Sequence, residues 1–302
     1  MAFDLPNSLS EACHCFSDPD KALSFVAGLR WPYGAACPDC GVMGATLLAT
    51  RRIWKCNACK RQFSVKVGTI FEDSAVPLGK WLIALWIHAN SKNGVSSCEL
   101  ARTIGVTQKT AWHMAHRIRL AMESGTFQRL SGTVEADETF VGGRKDPRRH
   151  KTAHRGGTMH KATVFGAVER KGRVRAFTIT STTASTLQSS VKGTVIEGST
   201  LYTDNHSGYI ALRESYGHKS VSHSTGEYAR GPVHTNTIEN FWCLFKRSVK
   251  GTWVCPSRKH LDRFVIDQEF RYNHRGTDDF GRMERLTAQI FGRRLTWKDL
   301  VG

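Results

Sequence analysis

The fold is decided by the stretch TVEADETFV, residues 133–141, which is predicted to form a strand whose first half ends on Asp137. A second strand-like run, TLYTD at residues 200–204, ends on Asp204 in the same way. A third run, at residues 235–250, is helix-like and carries Glu239. Two strand-borne aspartates and a helical glutamate are the carboxylates that a pair of Mg²⁺ ions needs to cut and rejoin a phosphodiester.

The segments around these runs predict an α/β domain. Residues 162–168 and 174–180 are expected to pair as strands across a polar turn, and residues 185–195 to form a helix. A strand, a hairpin, a helix, a strand and a late helix follow one another in the order of an RNase H-like domain, which we place at residues 131–275. Periodicity alone leaves other α/β folds open, and the placement of the carboxylates favours this one.

The helix-like run at residues 235–250 has two distinct faces. At about 100° per residue, Ile238 and Phe245 share an apolar face. Glu239 and Lys246 project from the opposite face. Taken alone, an exposed glutamate and lysine indicate an ordinary solvated face. Together with the two strand-borne aspartates, they indicate a metal site whose lysine reaches the DNA backbone.

The chemistry accounts for these residue types. Mg²⁺ prefers hard oxygen ligands and keeps several waters, so a few carboxylates and a substrate phosphate complete its coordination. Two such ions about 4 Å apart activate the attacking hydroxyl and stabilise the leaving oxygen of an in-line displacement. We therefore predict two catalytic Mg²⁺ ions held by Asp137, Asp204 and Glu239, with Lys246 completing the catalytic set.

Two CxxC pairs near the start of the chain predict a structural zinc site. Cys37 and Cys40 form the first pair, and Cys56 and Cys59 form the second after 15 intervening residues. Four thiolates make a closed tetrahedral site for one Zn²⁺ ion, with no position open for catalysis. Short strands predicted between and after the pairs complete a zinc ribbon, which we place at residues 31–72.

Residues 73–125 are predicted to form a helix-turn-helix. Ser96 is expected to cap one helix and Thr107 the next, with a turn at Gly105 between them. The second helix, residues 108–122, is basic and is the candidate for DNA contact. A plain helical hairpin has a similar pattern. We favour DNA contact because Gln108, Lys109 and Thr110, at the start of this helix, can reach phosphates or base edges; further along it lie His113, His116, Arg117 and Arg119.

The charge of the chain predicts a nucleic-acid partner. Its 302 residues include 43 Lys and Arg against 26 Asp and Glu, a net charge of +17 spread along the whole length. A globular protein this basic is typical of one that binds a polyanion. The segment 142–161 is strongly basic and is predicted to be a loop that folds onto DNA. The predicted backbone contacts are Arg144, Lys145, Arg148, Arg149 and Lys250.

The sequence favours a cytoplasmic location. The first residues lack the charged-then-apolar pattern of a signal peptide, and the longest apolar stretch, residues 81–87, is far shorter than the roughly 20 residues of a membrane span. Nine cysteines in such a protein indicate metal binding before disulfides. Residues 1–30 are expected to be an N-terminal segment and residues 276–302 a C-terminal tail.

In combination, these motifs resemble one family, the zinc-ribbon, ISXO-like DDE group of bacterial insertion-sequence transposases. The matching stretches, in chain order, are CPDC, CNAC, VEADETFVGGR, YTDNHSGY, HTNTIENFWCLFKR and EFRYNHR. The resemblance implies Asp137 and Asp204 as catalytic aspartates, and an acidic or amide third ligand followed by Lys246. Glu239, Asn236 and Asn240 are the candidates for that ligand. We choose Glu239 because a carboxylate binds Mg²⁺ more strongly and this one shares a helix face with Lys246.

The resemblance also implies a function. It predicts a DNA transposase that binds the terminal inverted repeats of its element, cleaves the ends and joins them to target DNA. Pairing two ends predicts a homodimer or a larger assembly. Two alternatives stay open: a nuclease without strand transfer, and a DNA-binding regulator with an inactive nuclease domain. The intact carboxylates argue against the regulator, and the two N-terminal DNA-binding modules argue against the simple nuclease.

Overall fold

A computed structural model describes residues 6–123, 128–142, 161–222, 229–254 and 256–302. The chain forms two compact units. Met1–Ser124 and Gly276–Gly302 make up the first, and Gly125–Arg275 makes up the second.

The first unit opens with two helices and a three-stranded antiparallel sheet, followed by three more helices. In the sheet, Trp54 and Phe63 stack with ring centroids 6.5 Å apart, and the edge of Trp31 packs against both rings. This is the small hairpin-plus-strand predicted around the cysteines. The elements are α1 (Leu9–Ser17), α2 (Pro19–Arg30), β1 (Thr46–Leu48), β2 (Ile53–Lys55), β3 (Gln62–Phe63), α3 (Leu78–Asn90), α4 (Ser97–Ile104) and α5 (Gln108–Met122).

The α3 helix contains the longest apolar stretch and is the buried centre of this unit. Trp81, Leu82 and Leu85 are each at most 1% exposed. Its 13 residues reach about 20 Å at 1.5 Å per residue. None of the helices in the described part of the chain combines the length and the apolar character that a bilayer crossing needs.

The predicted pair of helices after α3 is present with its caps. The Ser96 hydroxyl accepts the N–H of Glu99 at 3.1 Å, and the Thr107 hydroxyl accepts the N–H of Thr110 at 3.2 Å. Gly105, between the helices, has a φ of 62°, a left-handed conformation that glycine adopts without steric cost. The local sequence therefore determines where both helices begin and where the first one ends.

The second unit is built on a five-stranded sheet in the order β6-β5-β4-β7-β8. The first three of these strands are antiparallel neighbours, whereas β7 runs parallel to β4, and β8 runs parallel to β7. This arrangement places β4, the strand with Asp137, at the centre. The elements are β4 (Thr133–Val141), β5 (Ala162–Glu169), β6 (Val174–Ile179), α6 (Ala184–Thr194), β7 (Thr200–Asp204), β8 (Gly217–Val221), β9 (Ala229–Arg230), β10 (Val233–His234), α7 (Asn236–Ser248) and α8 (Leu261–Asn273).

Helices cover both faces of this sheet. Val134 and Ala136 of β4 belong to the apolar core that includes Leu187 and other residues of α6. Val141, which lies on the opposite face of the same strand, belongs to the core formed with α7 and α8. Because successive side chains of a strand alternate between faces, Asp137 lies on the α7 side and its neighbour Glu138 on the α6 side. The predicted α/β class is confirmed.

The EFRYNHR segment ties α8 to the edge strand β6. The Glu269 carboxylate accepts the N–H of Ala176 at 2.9 Å and an N–H of Arg175 at 3.1 Å. The Asn273 amide forms two hydrogen bonds with the backbone of Val174, at 2.8 and 3.0 Å. These contacts explain the polar residues of the segment as an anchor for the helix.

The residues predicted as a C-terminal tail form two helices, α9 (Asp279–Thr287) and α10 (Trp297–Val301), and belong to the first unit. The N–H of Ile70 donates to the carbonyl of Ile290 at 3.0 Å, and the N–H of Gly292 donates to the carbonyl of Gly68 at 2.8 Å. The chain therefore returns to the first unit after it has completed the second.

Candidate active site and metal centre

The four predicted zinc ligands lie together in the ribbon. The Sγ atoms of Cys37 and Cys59 are 3.7 Å apart, and those of Cys40 and Cys56 are 3.6 Å apart. All four sulfurs lie within 4.8 Å of one another. A tetrahedral site with Zn–S bonds of about 2.3 Å separates its sulfurs by about 3.8 Å, so the cluster fits one zinc ion.

Each CxxC pair lies in the same kind of turn. The residue after the second cysteine has a left-handed backbone in both turns, with a φ of 74° at Gly41 and 63° at Lys60. In the second turn, the backbone N–H groups of Cys59 and Ala58 lower the pKa of the Cys56 thiol to about 6, whereas burial and the neighbouring thiols raise the pKa of Cys59 to about 12, so Cys56 is the thiol of this turn that ionises first. The shift at Cys56 favours its thiolate, which is the form that binds metal.

Asp137 is held by an indole that crosses the neighbouring strand. Asp137 on β4 pairs with Gly166 on the neighbouring strand β5, and Trp242 of α7 donates from Nε1 to the Asp137 carboxylate at 3.0 Å. A Cβ atom added at Gly166 would lie 2.6 Å from the Trp242 ring. Glycine at this position therefore leaves the space through which the indole reaches Asp137.

Two further carboxylates lie near Asp137. Burial, followed by the negative charges of Glu138 and Asp204, raises the pKa of Asp137 from 3.8 to about 7. Burial also raises the pKa of Glu138, with the charge of Asp204 adding to the effect, although the Tyr209 hydroxyl donates to Glu138 at 2.6 Å. Carboxylates that repel one another in a buried setting form a donor set suited to a divalent cation.

The predicted faces of α7 are confirmed. Ile238 and Phe245 are fully buried, whereas Glu239 and Lys246 are exposed. The Thr235 hydroxyl donates to the Glu239 carboxylate at 2.9 Å. Asn236 and Asn240, the other candidates for the third ligand, are also exposed, so burial does not choose among the three.

The three predicted Mg²⁺ ligands do not form a compact single-ion cage. Among the described residues, the four ribbon cysteines are the only group of three or more His, Cys, Asp or Glu side chains whose ligand atoms all lie within 4.8 Å of one another. Asp137 and Asp204 lie on adjacent strands, and Glu239 lies on the helix that packs over β4. Ligands shared between two ions need not all lie that close, so a site for two ions stays a prediction.

The start of α5 is the accessible part of the predicted DNA-contact helix. Gln108 and Lys109 are exposed, and Thr110 is half-buried. The Lys109 ammonium lies 4.6 Å from the centroid of the Trp297 ring. The Gln108 side-chain amide donates to the Ser97 hydroxyl at 2.8 Å. Solvent therefore reaches Gln108 and Lys109, and to a smaller extent Thr110, and contact of these three residues with DNA stays a prediction.

Three of the basic residues further along α5 are buried and not available for DNA, whereas His113 is half-buried. His116, Arg117 and Arg119 are each at most 5% exposed. Arg117 donates to the carbonyls of Leu295 and Ile70, so it joins segments of the first unit. Lys250 is exposed on a π-helical turn (Val249–Trp253) that follows α7. The other predicted backbone contacts, Arg144, Lys145, Arg148 and Arg149, lie outside the described residues.

Two family descriptions match separate parts of this chain. Residues 129–273 match the ISXO2-like transposase domain, and residues 17–62 match the transposase zinc-ribbon domain. The chain contains the two domains of a zinc-ribbon, ISXO2-like transposase. The two matches together contain every predicted ligand, because the first includes the predicted catalytic residues and the second includes all four cysteines.

This transposase is also similar to a protein of Halobacterium salinarum, which is described as an uncharacterized protein in transposable element ISH50. The two are 29% identical over 259 residues, which cover 80% of this chain and 85% of the relative. A match of this length is longer than the transposase domain, so it also includes part of the first unit.

Sequence reasoning missed three residues that hold the site together. Trp242 binds Asp137, Tyr209 binds Glu138, and the buried Glu135 binds the start of α7. A signal was present in β4 itself. Three acids within the nine residues of a central strand are unusual, because each buried carboxylate needs a partner.

Proposed function

We propose that this transposase binds the terminal inverted repeats of its insertion sequence, cleaves the element's ends and joins them to target DNA by Mg²⁺-dependent phosphoryl transfer. One observation carries the proposal. Asp137 and Asp204 lie on the adjacent parallel strands β4 and β7, close enough for the charge of Asp204 to raise the pKa of Asp137. A site that gathers negative charge in this way is stabilised by divalent cations.

The strand arrangement supports an RNase H-like architecture for the second unit. Three antiparallel strands come first in the chain, and two strands parallel to the first one follow after α6. The helix with Glu239 comes later and packs over the central strand, where Trp242 reaches Asp137. The predicted catalytic residues thus occupy neighbouring elements although up to 109 positions separate them in the sequence.

Asp137, Asp204 and Glu239 would hold the Mg²⁺ ions. When bound, the ions supply charge stabilisation for an in-line displacement at phosphorus. The chain's own residues do the positioning. Trp242 orients the Asp137 carboxylate through its Nε1 hydrogen bond, and the exposed Lys246 lies where it can bind a backbone phosphate and offset its charge.

DNA recognition is proposed to use the first unit. The exposed start of α5 presents Gln108, Lys109 and Thr110, and the ribbon adds basic side chains of its own. Lys250 and the basic residues at 144–149 would bind backbone phosphates, with the net charge of +17 favouring the approach of DNA. Because two ends must be held together, we propose a homodimer or a larger assembly.

The test is an in vitro joining assay. Duplexes that carry the element's end, with the 3′ hydroxyl already exposed, are incubated with a target plasmid and Mg²⁺. Wild-type protein should join them, and Asp137→Ala and Asp204→Ala should lose joining while their affinity for the end duplex stays within about twofold, because phosphate contacts elsewhere dominate that affinity. Glu214→Ala, which changes an exposed carboxylate of the same unit, is the matched control.

Each other outcome has a definite meaning. Cleavage without any joining would favour the simple nuclease. DNA binding with neither reaction would favour the regulator. Joining at a near wild-type rate by either aspartate variant would show that the assignment of these carboxylates is wrong.

A further inference from the structure

The start of α7 is capped by a residue from another element. Its own N-cap residue, Thr235, makes no cap hydrogen bond with its side chain. The N–H groups of Thr237 and Ile238 instead donate to the carboxylate of Glu135 on β4, at 2.7 and 3.1 Å. Unsatisfied N–H groups and the helix dipole make this end of a helix attractive to a negative charge.

Glu135 is itself fully buried and strongly held. The Thr237 hydroxyl donates to its Oε1 at 2.9 Å, Arg170 Nε donates to the same oxygen at 2.7 Å, and His234 Nδ1 lies 3.3 Å away. The Arg170 guanidinium also donates to the carbonyls of Pro232 and His234, and it stacks 4.8 Å above the ring of Tyr202. A carboxylate with this many donors has one geometry available to it.

Because Glu135 caps the helix, the Thr235 hydroxyl is not used as the cap. A threonine at this position ordinarily accepts a hydrogen bond from an N–H of the first turn. Here the hydroxyl donates to the Glu239 carboxylate at 2.9 Å. Glu135 thus controls both the position of the helix start and the partner that Thr235 offers to Glu239.

We propose that Glu135 is a positioning residue for Glu239: by capping α7 from β4, it fixes the helix against the strand of Asp137 and leaves the Thr235 hydroxyl to orient the Glu239 carboxylate. This inference rests on the proposed role of Glu239 as an Mg²⁺ ligand. Glu135 lies two positions before Asp137 on the same face of β4, so one strand sets the place of both the aspartate and the helix.

The structure offers a matched control. Glu269 is also a buried carboxylate that binds an arginine and a backbone N–H, and it anchors α8, a helix that carries none of the predicted Mg²⁺ ligands. Glu135→Gln and Glu269→Gln make the same chemical change. In both, an amide NH₂ replaces an oxygen that accepts hydrogen bonds, so each variant loses anchoring of one helix.

The experiment measures joining against Mg²⁺ concentration for the wild type and both variants. Glu135→Gln should lower the rate about 10- to 100-fold and raise the Mg²⁺ concentration needed for half the maximal rate, because a small displacement of one ligand has such effects. Glu269→Gln should leave the Mg²⁺ dependence unchanged. Thr235→Val should lower the rate and raise the required Mg²⁺ concentration as Glu135→Gln does. Thr235→Ser, which keeps the hydroxyl, should retain the wild-type Mg²⁺ dependence.

Two further measurements separate positioning from general damage. In a Glu239→Gln background, Glu135→Gln should add little to the loss of rate, because it acts through Glu239. Amide hydrogen exchange at the start of α7 should speed up in Glu135→Gln and not in Glu269→Gln. Unchanged exchange, fully additive losses of rate, or equal Mg²⁺ dependence in the two variants would each overturn the proposal.

The outcome also separates this inference from the proposed function. If the wild type joined no DNA, the proposed function would fail, and hydrogen exchange would still decide whether Glu135 holds α7. If the wild type were active and the two glutamine variants behaved alike, the proposed function would stand, and the positioning role of Glu135 would be wrong.

Discussion

At the scale of single residues, hydrogen bonds favour the ionised form of Asp137, and burial and nearby negative charges oppose it. The backbone N–H of Glu138 and the Trp242 indole donate to the carboxylate, while burial and the charges of Glu138 and Asp204 oppose its ionisation. With its pKa raised to about 7, this carboxyl group is mostly protonated at any pH below that value. Bound cations would reverse that preference, since they stabilise the ionised form.

This residue predicts a pH-dependent stability. The pKa of Asp137 is raised from 3.8 to about 7 on folding, so the folded chain holds more protons between these values and loses stability as the pH rises through them. Without divalent ions, Asp137→Asn should therefore increase the free energy of unfolding by about 1–3 kcal/mol at pH 8 and by less at pH 5.

Urea denaturation at the two pH values measures this effect. Asparagine can still accept the Trp242 hydrogen bond, so packing is retained. Glu197→Gln, a change at an exposed carboxylate, should show no such difference. An equal effect of Asp137→Asn at both pH values would contradict the raised pKa.

The choice of the third ligand is also decided at this scale. Glu239→Gln keeps the size of the side chain and removes its charge, so joining at saturating Mg²⁺ should fall by about 100-fold or more, as expected for a lost metal ligand. Asn240→Ala should have a mild effect, since Asn240 lies on a different side of α7. Loss of joining in Asn240→Ala together with near wild-type joining in Glu239→Gln would identify Asn240 as the ligand.

At the scale of elements, local signals could be predicted from the sequence and distant partners could not. The bounds of β4 agree with the prediction, and α4 and α5 begin at their predicted caps, because alternation and capping act within a few residues. The four cysteines were predicted from spacing for the same reason. Glu239 was placed correctly on the exposed face of α7 by helix geometry.

The errors arise where a polar residue has a remote partner. Arg117 has the character of a DNA-binding residue on a basic helix, yet it binds the carbonyl of Leu295, 178 positions later. Glu135 likewise binds α7 across 102 positions. No periodicity within a helix or strand contains these pairings, so they could be found only when the fold brought the segments together.

The zinc ribbon gives a prediction about one element. Purified protein should contain about one zinc ion per chain, because the four sulfurs have tetrahedral spacing. Cys37→Ser should lose the ion and destabilise the ribbon, whereas Cys98→Ser, which changes an exposed cysteine of α4, should retain it. Elemental analysis and thermal unfolding measure both effects, and freshly purified, active wild type without zinc would refute the assignment.

At the scale of the whole molecule, the modules proposed for DNA recognition and the carboxylates proposed for chemistry belong to different units. Residues before and after the transposase domain form one unit, which contains the ribbon and the α4–α5 pair, while the carboxylates lie in the other unit. The positive charge is spread over the chain, so DNA affinity should fall with salt whichever catalytic carboxylate is changed. Binding and catalysis can therefore be tested separately.

The most direct test of the account replaces one predicted ligand by a thiol. Asp204→Cys offers a softer ligand, which Mn²⁺ accepts more readily than Mg²⁺ does. Joining of a pre-cut end to a target plasmid is measured in each ion, with Glu214→Cys as the control at an exposed carboxylate. We expect the ratio of the Mn²⁺ rate to the Mg²⁺ rate to rise at least about tenfold for Asp204→Cys and to stay at the wild-type value for the control. A wild-type ratio in an active Asp204→Cys would contradict direct metal binding by Asp204.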